Sequence, residues 1–276
     1  MLKDWLRLTR AEHSIIVFFA IIIAQAITTR QIAFEYIYAA IGPALITLGA
    51  FAWNDYFGLK SDRALKRTDR PLVSGTIKPQ AAILFAAIAM LFGAALTYFV
   101  NPACFAIALL YAILSMAYDP LLKKIPLAGN LFIASSMSIS FIYGNFAVSN
   151  ILNANIAIFA IMAFFAGLGR ELIITLRDVE GDKKIGAKTL PMLLGPRNTI
   201  IAASTLIYLA IFASLYPLTK TISWPYITAI IVADALFLIP TLRLMLKQDK
   251  ATLNEARNLT LYALIIGIIA FATLAF

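Results

Sequence analysis

Charged residues are scarce in this chain of 276 residues: they make up 13% of it, whereas apolar residues make up 62%. Soluble domains carry about twice that charged fraction and roughly half apolar residues, so the composition excludes an ordinary soluble globular domain. Cysteine is nearly absent, and the single Cys104 excludes an internal disulfide. No Gly/Ser-rich linker or low-complexity tract divides the chain. We therefore expect one integral membrane domain that covers residues 1–276.

Long apolar runs recur from Ile15 to the last residue. A membrane-spanning helix needs about 20 such residues, so runs bounded by Pro, Gly, Asn or charge predict about nine spans in one all-α bundle. The predicted spans are residues 14–28, 33–57, 81–100, 104–117, 129–148, 155–175, 200–218, 226–246 and 259–276. The fourth run is short, which suggests a helix that is tilted, kinked or partly re-entrant.

The basic residues lie almost entirely in alternate connections. Lys and Arg collect on the cytoplasmic side of short loops, and all 23 basic residues except Arg30 and Lys220 fall in segments that a cytoplasmic N-terminus places inside. An odd number of spans then puts the C-terminus outside. The formal charge of +9 is thus a topology signal for a multi-pass protein of the cell membrane. Nucleic-acid binding is the weaker interpretation, and no obligate protein partner is indicated.

Acidic residues are clustered with the basic ones in two of these cytoplasmic loops. If the helices continue into the loops, Asn54, Gly58 and Asp62 follow at intervals of four residues and share one helix face. Asp178 and Asp182 share a face in the same way. Carboxylate and amide oxygens suit Mg²⁺, which keeps waters and shares phosphate oxygens, and neighbouring Arg and Lys suit the phosphates. A divalent metal with a diphosphate is the simplest ligand; the plainer alternative is two solvated turns.

A third cytoplasmic loop carries a weaker signal. Lys123 can neutralise a phosphate, and Tyr118 can donate a hydrogen bond to it. The same loop also suits simple anchoring at the cytoplasmic surface, and the sequence does not decide between the two.

The membrane interior contains two groups of polar residues. Within the predicted fifth span, Ser136, Ser140 and Tyr143 share a face. They suit either a chamber lining or close helix packing, and packing is the simpler explanation. Asp234 lies near the middle of the predicted eighth span, where a charge costs roughly 2.5–3.5 kcal/mol. We expect this residue to be functional, paired or protonated.

These motifs resemble those of the UbiA superfamily of intramembrane prenyltransferases, and the resemblance covers almost the whole chain. That family has nine helices and two Asp-rich motifs on the cytoplasmic side, the first of the form NDxxDxxxD. The matching stretches are Asn54-Asp55-Tyr56-Phe57 with Asp62-Arg63, Arg70-Pro71 with Ser74-Gly75, Leu122-Lys123 with residues 126–130, residues 178–182, and residues 186–191. The last stretch is most similar to the branch of the family that makes archaeal membrane lipids.

The resemblance implies an enzyme that uses Mg²⁺ to transfer a prenyl group from its diphosphate to a lipidic acceptor. In the archaeal branch the donor is geranylgeranyl diphosphate and the acceptor is geranylgeranylglyceryl phosphate. The implied site faces the cytoplasm, and its chamber opens sideways to the bilayer lipid. The implied catalytic residues are Asp62, Asp178 and Asp182; the implied metal ligands are Asn54, Asp62, Asp178 and Asp182, with Asp55 as a further candidate; and the implied diphosphate-binding residues are Arg67, Tyr118, Lys123 and Lys188.

Three positions depart from the family pattern. Gly58 stands where the first motif has its middle Asp, Lys60 is basic where an acid is common, and Ile174-Thr175 replace a Lys-Asp pair. A prenyltransferase for an aromatic or quinone-precursor acceptor is the first alternative. A transporter or non-catalytic binder of polyprenyl phosphates is the second. Transporters have inverted repeats and helices broken at mid-membrane, whereas both motif loops here lie on one predicted side, which favours the enzyme.

Overall fold

A computed structural model describes residues 1–184, 186–220 and 222–275, which form helices and turns without a β-strand. The predicted all-α class is therefore confirmed. The helices are α1 (Leu2–Thr9), α2 (Ala11–Thr29), α3 (Tyr36–Phe57), α4 (Leu59–Ala64), α5 (Pro71–Ser74), α6 (Pro79–Tyr98), α7 (Pro102–Tyr118), α8 (Ala128–Val148), α9 (Ala154–Lys184), α10 (Leu190–Ala213), α11 (Trp224–Leu246) and α12 (Lys250–Ala272). Short 3₁₀ turns occupy Leu122–Lys124 and Tyr216–Thr219.

Within these ranges, eight helices are long and apolar enough to cross a membrane: α2, α3, α6 and α8 to α12. The predicted fourth span corresponds to α7, which is apolar but has 17 residues. At 1.5 Å per residue it is about 25 Å long, less than the ~30 Å hydrocarbon core. Each predicted span thus overlaps a helix; residue 276, at the end of the predicted ninth span, lies outside the described residues. The number of membrane crossings and the side of each terminus stay predictions.

Proline and side-chain caps fix where several helices begin. A proline lies in the first turn of α5, α6, α7, α10 and α11, where its missing N–H is not needed. The Asn101 side chain accepts a hydrogen bond from the backbone N–H of Cys104 over 2.8 Å. The Asp249 carboxylate accepts one from the N–H of Thr252, also over 2.8 Å. The starts of α7 and α12 are therefore set by local sequence.

Close packing on one face of α6 contrasts with lipid exposure on the other. A Cβ on Gly42 of α3 would lie 2.8 Å from the carbonyl oxygen of Gly93 on α6, and a Cβ on Gly93 would lie 2.6 Å from that of Gly42. Only glycine allows this approach, as at many membrane helix interfaces. The opposite face of α6 exposes Leu84, Leu91 and Phe92. An apolar surface of this kind is expected to face lipid.

Candidate active site

A cavity of about 1060 Å³ lies inside the bundle. Charged side chains from α1, the start of α2, the segment before α5, α9 and α12 line one end, and mainly apolar side chains that include Phe237 and Phe271 line the remainder. Asp234 also lines the cavity, and it accepts a hydrogen bond from the Ser214 hydroxyl over 2.8 Å. Ser136, Ser140 and Tyr143 also line this cavity. The sequence favoured helix packing for these three residues, whereas the structure places them on the chamber wall. The cavity is large enough for a drug-sized or longer ligand.

The first acidic cluster keeps its shared face although a helix boundary crosses it. Gly58 separates α3 from α4 but retains helical φ and ψ, and the Asp62 N–H donates to the Gly58 carbonyl over 2.9 Å. A Cβ on Gly58 would lie 3.9 Å from a carboxylate oxygen of Asp62. Oδ1 of Asn54 is buried without a hydrogen-bond partner in the described part of the chain, and Asn54 lines the cavity. A buried acceptor left unpaired is costly, so this amide oxygen fits a metal ligand.

Asp55 has a different environment from its neighbours in the motif. It is 4% exposed, binds Arg70, and lies 3.5 Å from Nη2 of Arg10. Burial acts to lower the pKa of Arg70, but the carboxylates of Asp55 and Asp62 outweigh burial, so the pKa is raised. These contacts favour a role for Asp55 in joining the start of α2 to the segment before α5. The metal-binding role of Asp55 stays a prediction.

The helix of the predicted sixth span, α9, continues through the second acidic cluster, so Asp178 and Asp182 share a helix face, as expected if the helix extends into the loop. Asp178 lines the cavity and accepts two hydrogen bonds from the Arg177 guanidinium, at 2.8 Å and 2.7 Å. The Asp178 side chain is still 43% exposed. Its outer lone pairs therefore remain open to a further ligand. Asp182 follows one helical turn later and does not itself line the cavity.

The two clusters approach each other in space. A Cβ on Gly181 would lie 3.8 Å from Cδ1 of Leu65, which directly follows α4. Asp182 is within electrostatic range of both Arg67 and Lys123. Even so, among residues 1–184, 186–220 and 222–275 no three carboxylate, histidine or cysteine side chains converge to hold a metal by themselves. The described side chains therefore do not form a complete metal site by themselves.

Asp119 belongs to this region, although sequence reasoning gave it no role. Its Oδ2 would lie 3.8 Å from a Cβ on Gly58, the position where the family motif has an Asp. Its Oδ1 lies 3.7 Å from Nζ of Lys123. Burial raises the pKa of the Asp119 carboxyl, and Lys123 opposes that rise. Only the fold brings the end of α7 beside Gly58, so sequence spacing carried no signal for this contact.

The remaining predicted residues divide into two groups. Arg67 and Tyr118 line the cavity, and Nη1 of Arg67 lies 3.4 Å from Oδ1 of Asp62. Lys123 and Lys188 do not line the cavity, and Lys188 is exposed. The structure thus brings Arg67 and Tyr118 to the charged end of the chamber. It leaves the phosphate-binding role of Lys188 a prediction.

An all-helical bundle with apolar spans is the architecture of an intramembrane protein. Its internal chamber, charged at one end and mainly apolar beyond it, has the shape and polarity that suit an amphiphilic ligand. The chain belongs to the UbiA prenyltransferase family, which it matches over residues 14–274. The resemblance drawn from the motifs is therefore confirmed. The protein is a multi-pass membrane prenyltransferase.

Individual relatives agree with this family. Digeranylgeranylglyceryl phosphate synthase of Archaeoglobus fulgidus is 30% identical over 275 residues, which cover 98% of this chain and 94% of that protein. One similar solved structure comes from work on structural and mechanistic insights into digeranylgeranylglyceryl phosphate synthase in membranes. It matches this chain with a TM-score of 0.79 and 27% sequence identity, and the match covers 99% of this chain and 98% of that one. A UbiA homolog from Archaeoglobus fulgidus bound to DMAPP and Mg²⁺ shares the fold, with a TM-score of 0.68 and 19% identity over 97% and 99% of the two chains.

Proposed function

We propose that this protein catalyses the Mg²⁺-dependent transfer of a geranylgeranyl group from geranylgeranyl diphosphate to geranylgeranylglyceryl phosphate. The reaction belongs to archaeal membrane lipid synthesis and takes place at the cytoplasmic face of the cell membrane. The relatives named digeranylgeranylglyceryl phosphate synthase support the acceptor, and the homolog bound to DMAPP and Mg²⁺ supports the metal and the diphosphate. The observation that carries the proposal is the chamber itself, which joins Asn54 and Asp178 at a cationic end to a long apolar interior.

In this proposal Mg²⁺ would be held between the bound diphosphate and two separate sets of ligands, Asn54 with Asp62 and Asp178 with Asp182. These ligands are all oxygens, and Oδ1 of Asn54 is buried without a partner in the described residues. Because no three carboxylates converge in the described part of the chain, diphosphate oxygens would supply the remaining ligands, as is usual for Mg²⁺. When bound, the metal stabilises the negative charge that develops on the leaving diphosphate. Asp119, beside Gly58, adds negative charge where the family motif has its middle carboxylate.

The diphosphate is held in addition by Arg67, Tyr118, Lys123 and Lys188. Arg67 and Lys123 contact their carboxylate partners only at 3.4 Å and 3.7 Å, which is longer than a good charge-assisted hydrogen bond. Both cations can therefore turn towards phosphate oxygens at little cost. The Tyr118 hydroxyl is a donor at the wall of the cavity. Positive charge placed there favours the transition state because the leaving group gains charge.

The apolar part of the chamber holds the isoprenoid tail and keeps water from the reacting carbon. The oxygen of the acceptor's free hydroxyl forms the new bond to C1 of the donor as the bond from C1 to the diphosphate breaks, and the hydroxyl proton leaves with the diphosphate. Phe132 lies between Tyr111 and Tyr118, with ring centroids 6.1 Å and 5.6 Å away, and all three line the cavity. Aromatic faces stabilise the allylic cation, and a dry site prevents its capture by water.

Purified protein in lipid vesicles tests the proposal. It is incubated with Mg²⁺, labelled geranylgeranyl diphosphate, and either geranylgeranylglyceryl phosphate, 4-hydroxybenzoate or no acceptor, with EDTA in a parallel set. We expect a labelled product only with geranylgeranylglyceryl phosphate and Mg²⁺. A product with 4-hydroxybenzoate alone would instead support the aromatic acceptor class. Binding of the donor without turnover of any acceptor would support a non-catalytic polyprenyl-phosphate binder.

A further inference from the structure

A buried arginine lines the chamber away from the proposed metal ligands. Arg170 of α9 is 6% exposed, and its Nη1 lies 3.4 Å from Oε1 of Glu171, which is 9% exposed. Nε of Arg170 has no hydrogen-bond partner in the described ranges. Burying a guanidinium group that has only one loose partner lowers the free energy of unfolding. This residue therefore has unused capacity to bind an anion from the cavity.

The surroundings of Arg170 carry more positive than negative charge. Arg177 and Arg257 also line the cavity and lie within electrostatic range of Arg170. Arg177 is occupied by Asp178 in a bidentate pair. Arg257 of α12 forms no ion pair with the described carboxylates. Arg170 thus pairs with Glu171 and Arg177 with Asp178, which leaves Arg257 without an ion-pair partner among the described residues. An anionic group completes this cluster.

We propose that Arg170 and Arg257 bind the phosphate monoester of the lipid acceptor. This inference rests on the proposed function and deepens it, because it separates the acceptor's phosphate from the diphosphate of the donor. Arg170 precedes Asp178 on α9 by eight residues, which is about 12 Å along a helix axis. That separation accommodates the diphosphate, the reacting carbon and the glycerol backbone between the two anions. Guanidinium groups suit phosphate because they donate two parallel hydrogen bonds.

The test compares a phosphorylated and a phosphate-free acceptor. Arg257→Gln removes an exposed cation that has no internal partner, so the variant is expected to fold. We expect its KM for geranylgeranylglyceryl phosphate to rise about tenfold, as for loss of one charge-assisted hydrogen bond. Its KM for the donor and its rate with geranylgeranylglycerol should not change. The double variant Arg170→Met/Glu171→Gln removes the buried pair without leaving a lone charge, and its acceptor KM should rise further.

A control and a second readout keep the inference separate from the proposed function. Arg243→Gln removes an exposed arginine of α11 that pairs with Glu255 away from the cavity, and it should leave both KM values unchanged. Without donor or metal, geranylgeranylglyceryl phosphate should raise the melting temperature of the wild type but not of Arg257→Gln. Equal stabilisation of both proteins, or an unchanged acceptor KM in Arg257→Gln, overturns the inference. Absence of any product from the wild type overturns the proposed function instead.

Discussion

The two acidic clusters of this protein are built in different ways. The second cluster lies on one uninterrupted helix, and Asp178 and Asp182 are placed by local helical geometry alone. The first cluster crosses the boundary between α3 and α4 at Gly58, where a carboxylate is missing. A side chain from the end of α7, Asp119, approaches that position instead. The first cluster therefore depends on tertiary packing, whereas the second depends mainly on sequence spacing.

Arginine partners differ between the clusters as well. In the first cluster, Arg10 and Arg70 enclose Asp55, so this carboxylate contributes to the fold around the site. In the second, Arg177 holds only one side of Asp178, whose side chain stays 43% exposed. Adjacent acids in one motif therefore need not share a role. Substitutions at the two clusters can show whether they form one site and how each is held.

The largest expected effect is an all-or-none labelling pattern. In a Cys104→Ser background, Arg63→Cys near the first cluster and Lys183→Cys near the second are both exposed positions. Because the clusters approach each other, we expect both thiols to react with a membrane-impermeant maleimide from the same side of sealed vesicles. Lys220→Cys is the control and should react from the opposite side. Labelling of the two cluster positions from opposite sides would exclude a shared site.

Loss of a metal-binding carboxylate should be the next largest effect. Asp62→Asn, Asp178→Asn and Asp182→Asn each remove one negative charge with little change in shape. We expect kcat to fall at least about a hundredfold in each variant, since each 1.36 kcal/mol of transition-state stabilisation is tenfold in rate. Asp249→Asn is the matched control, because Asn also caps a helix and position 249 is outside the site. Near-normal turnover in any two of the three variants would contradict the ligand set.

Removing Arg70, the partner of Asp55, should lower the melting temperature of the protein rather than change its catalytic steps. Arg70→Met leaves a carboxylate that is 4% exposed with Arg10 alone at 3.5 Å. Breaking a buried ion pair costs about 3 kcal/mol, which lowers the melting temperature by roughly 6–12 °C. Thermal unfolding in detergent measures this change. The exposed Arg63→Met is the control, and equal melting temperatures for the two variants would show that Asp55 does not depend on Arg70.

The smallest predicted change is a shift in Mg²⁺ requirement at the first cluster. Gly58→Asp restores a carboxylate one turn from Asn54 and Asp62, so half-maximal activity should need about fivefold less Mg²⁺, equivalent to about 1 kcal/mol. Asp119→Asn should need more, and the double variant should lie near the wild type. Lys60 is exposed, so Lys60→Ala should leave the midpoint unchanged. An unchanged midpoint in Asp119→Asn would show that this carboxylate does not support the metal.

The thermal stability of Gly58→Asp also tests how the first cluster is held. Replacing a helical glycine is worth up to about 1 kcal/mol, and sequence alone predicts a variant at least as stable as the wild type. The structure adds that Oδ2 of Asp119 and of Asp62 would lie 3.8 Å and 3.9 Å from the new Cβ. Three neighbouring carboxylates would then share only the loosely held Arg67 and Lys123 as counterions, and like charges repel one another. We therefore expect the stabilisation to require Mg²⁺, which thermal unfolding with and without the ion measures.

Hydropathy predicted the helical framework because a bilayer accepts few alternatives to long apolar helices. It did not predict that α9 continues to Lys184 or that α12 begins as early as Lys250, because polar turns outside the membrane carry no apolar signal. Helical spacing correctly placed Asp178 and Asp182 on one face. The contact of Asp119 with the first cluster was not predictable, since it joins segments that are distant in sequence.

The burial of these charged side chains could also not be predicted from the sequence. Arg170 and Glu171 are adjacent at the end of a predicted span, and the sequence offers no reason to expect both below 10% exposure. Their burial follows from the position of α9 between α8, α10 and α12. In the same way, only the fold shows that Arg10 and Arg70 converge on Asp55. Pair contacts of this kind depend on tertiary structure and not on local pattern.

Under the proposed function, both acidic clusters bind one metal–diphosphate complex. Crystals grown with Mn²⁺ in place of Mg²⁺ and with an unreactive thiolodiphosphate analogue of the donor test it directly, because Mn²⁺ is located by its anomalous scattering. We predict Mn²⁺ between Asn54 and Asp62 on one side and Asp178 and Asp182 on the other, with analogue oxygens in its coordination shell. An analogue bound in the chamber with no Mn²⁺ at these residues would contradict the account.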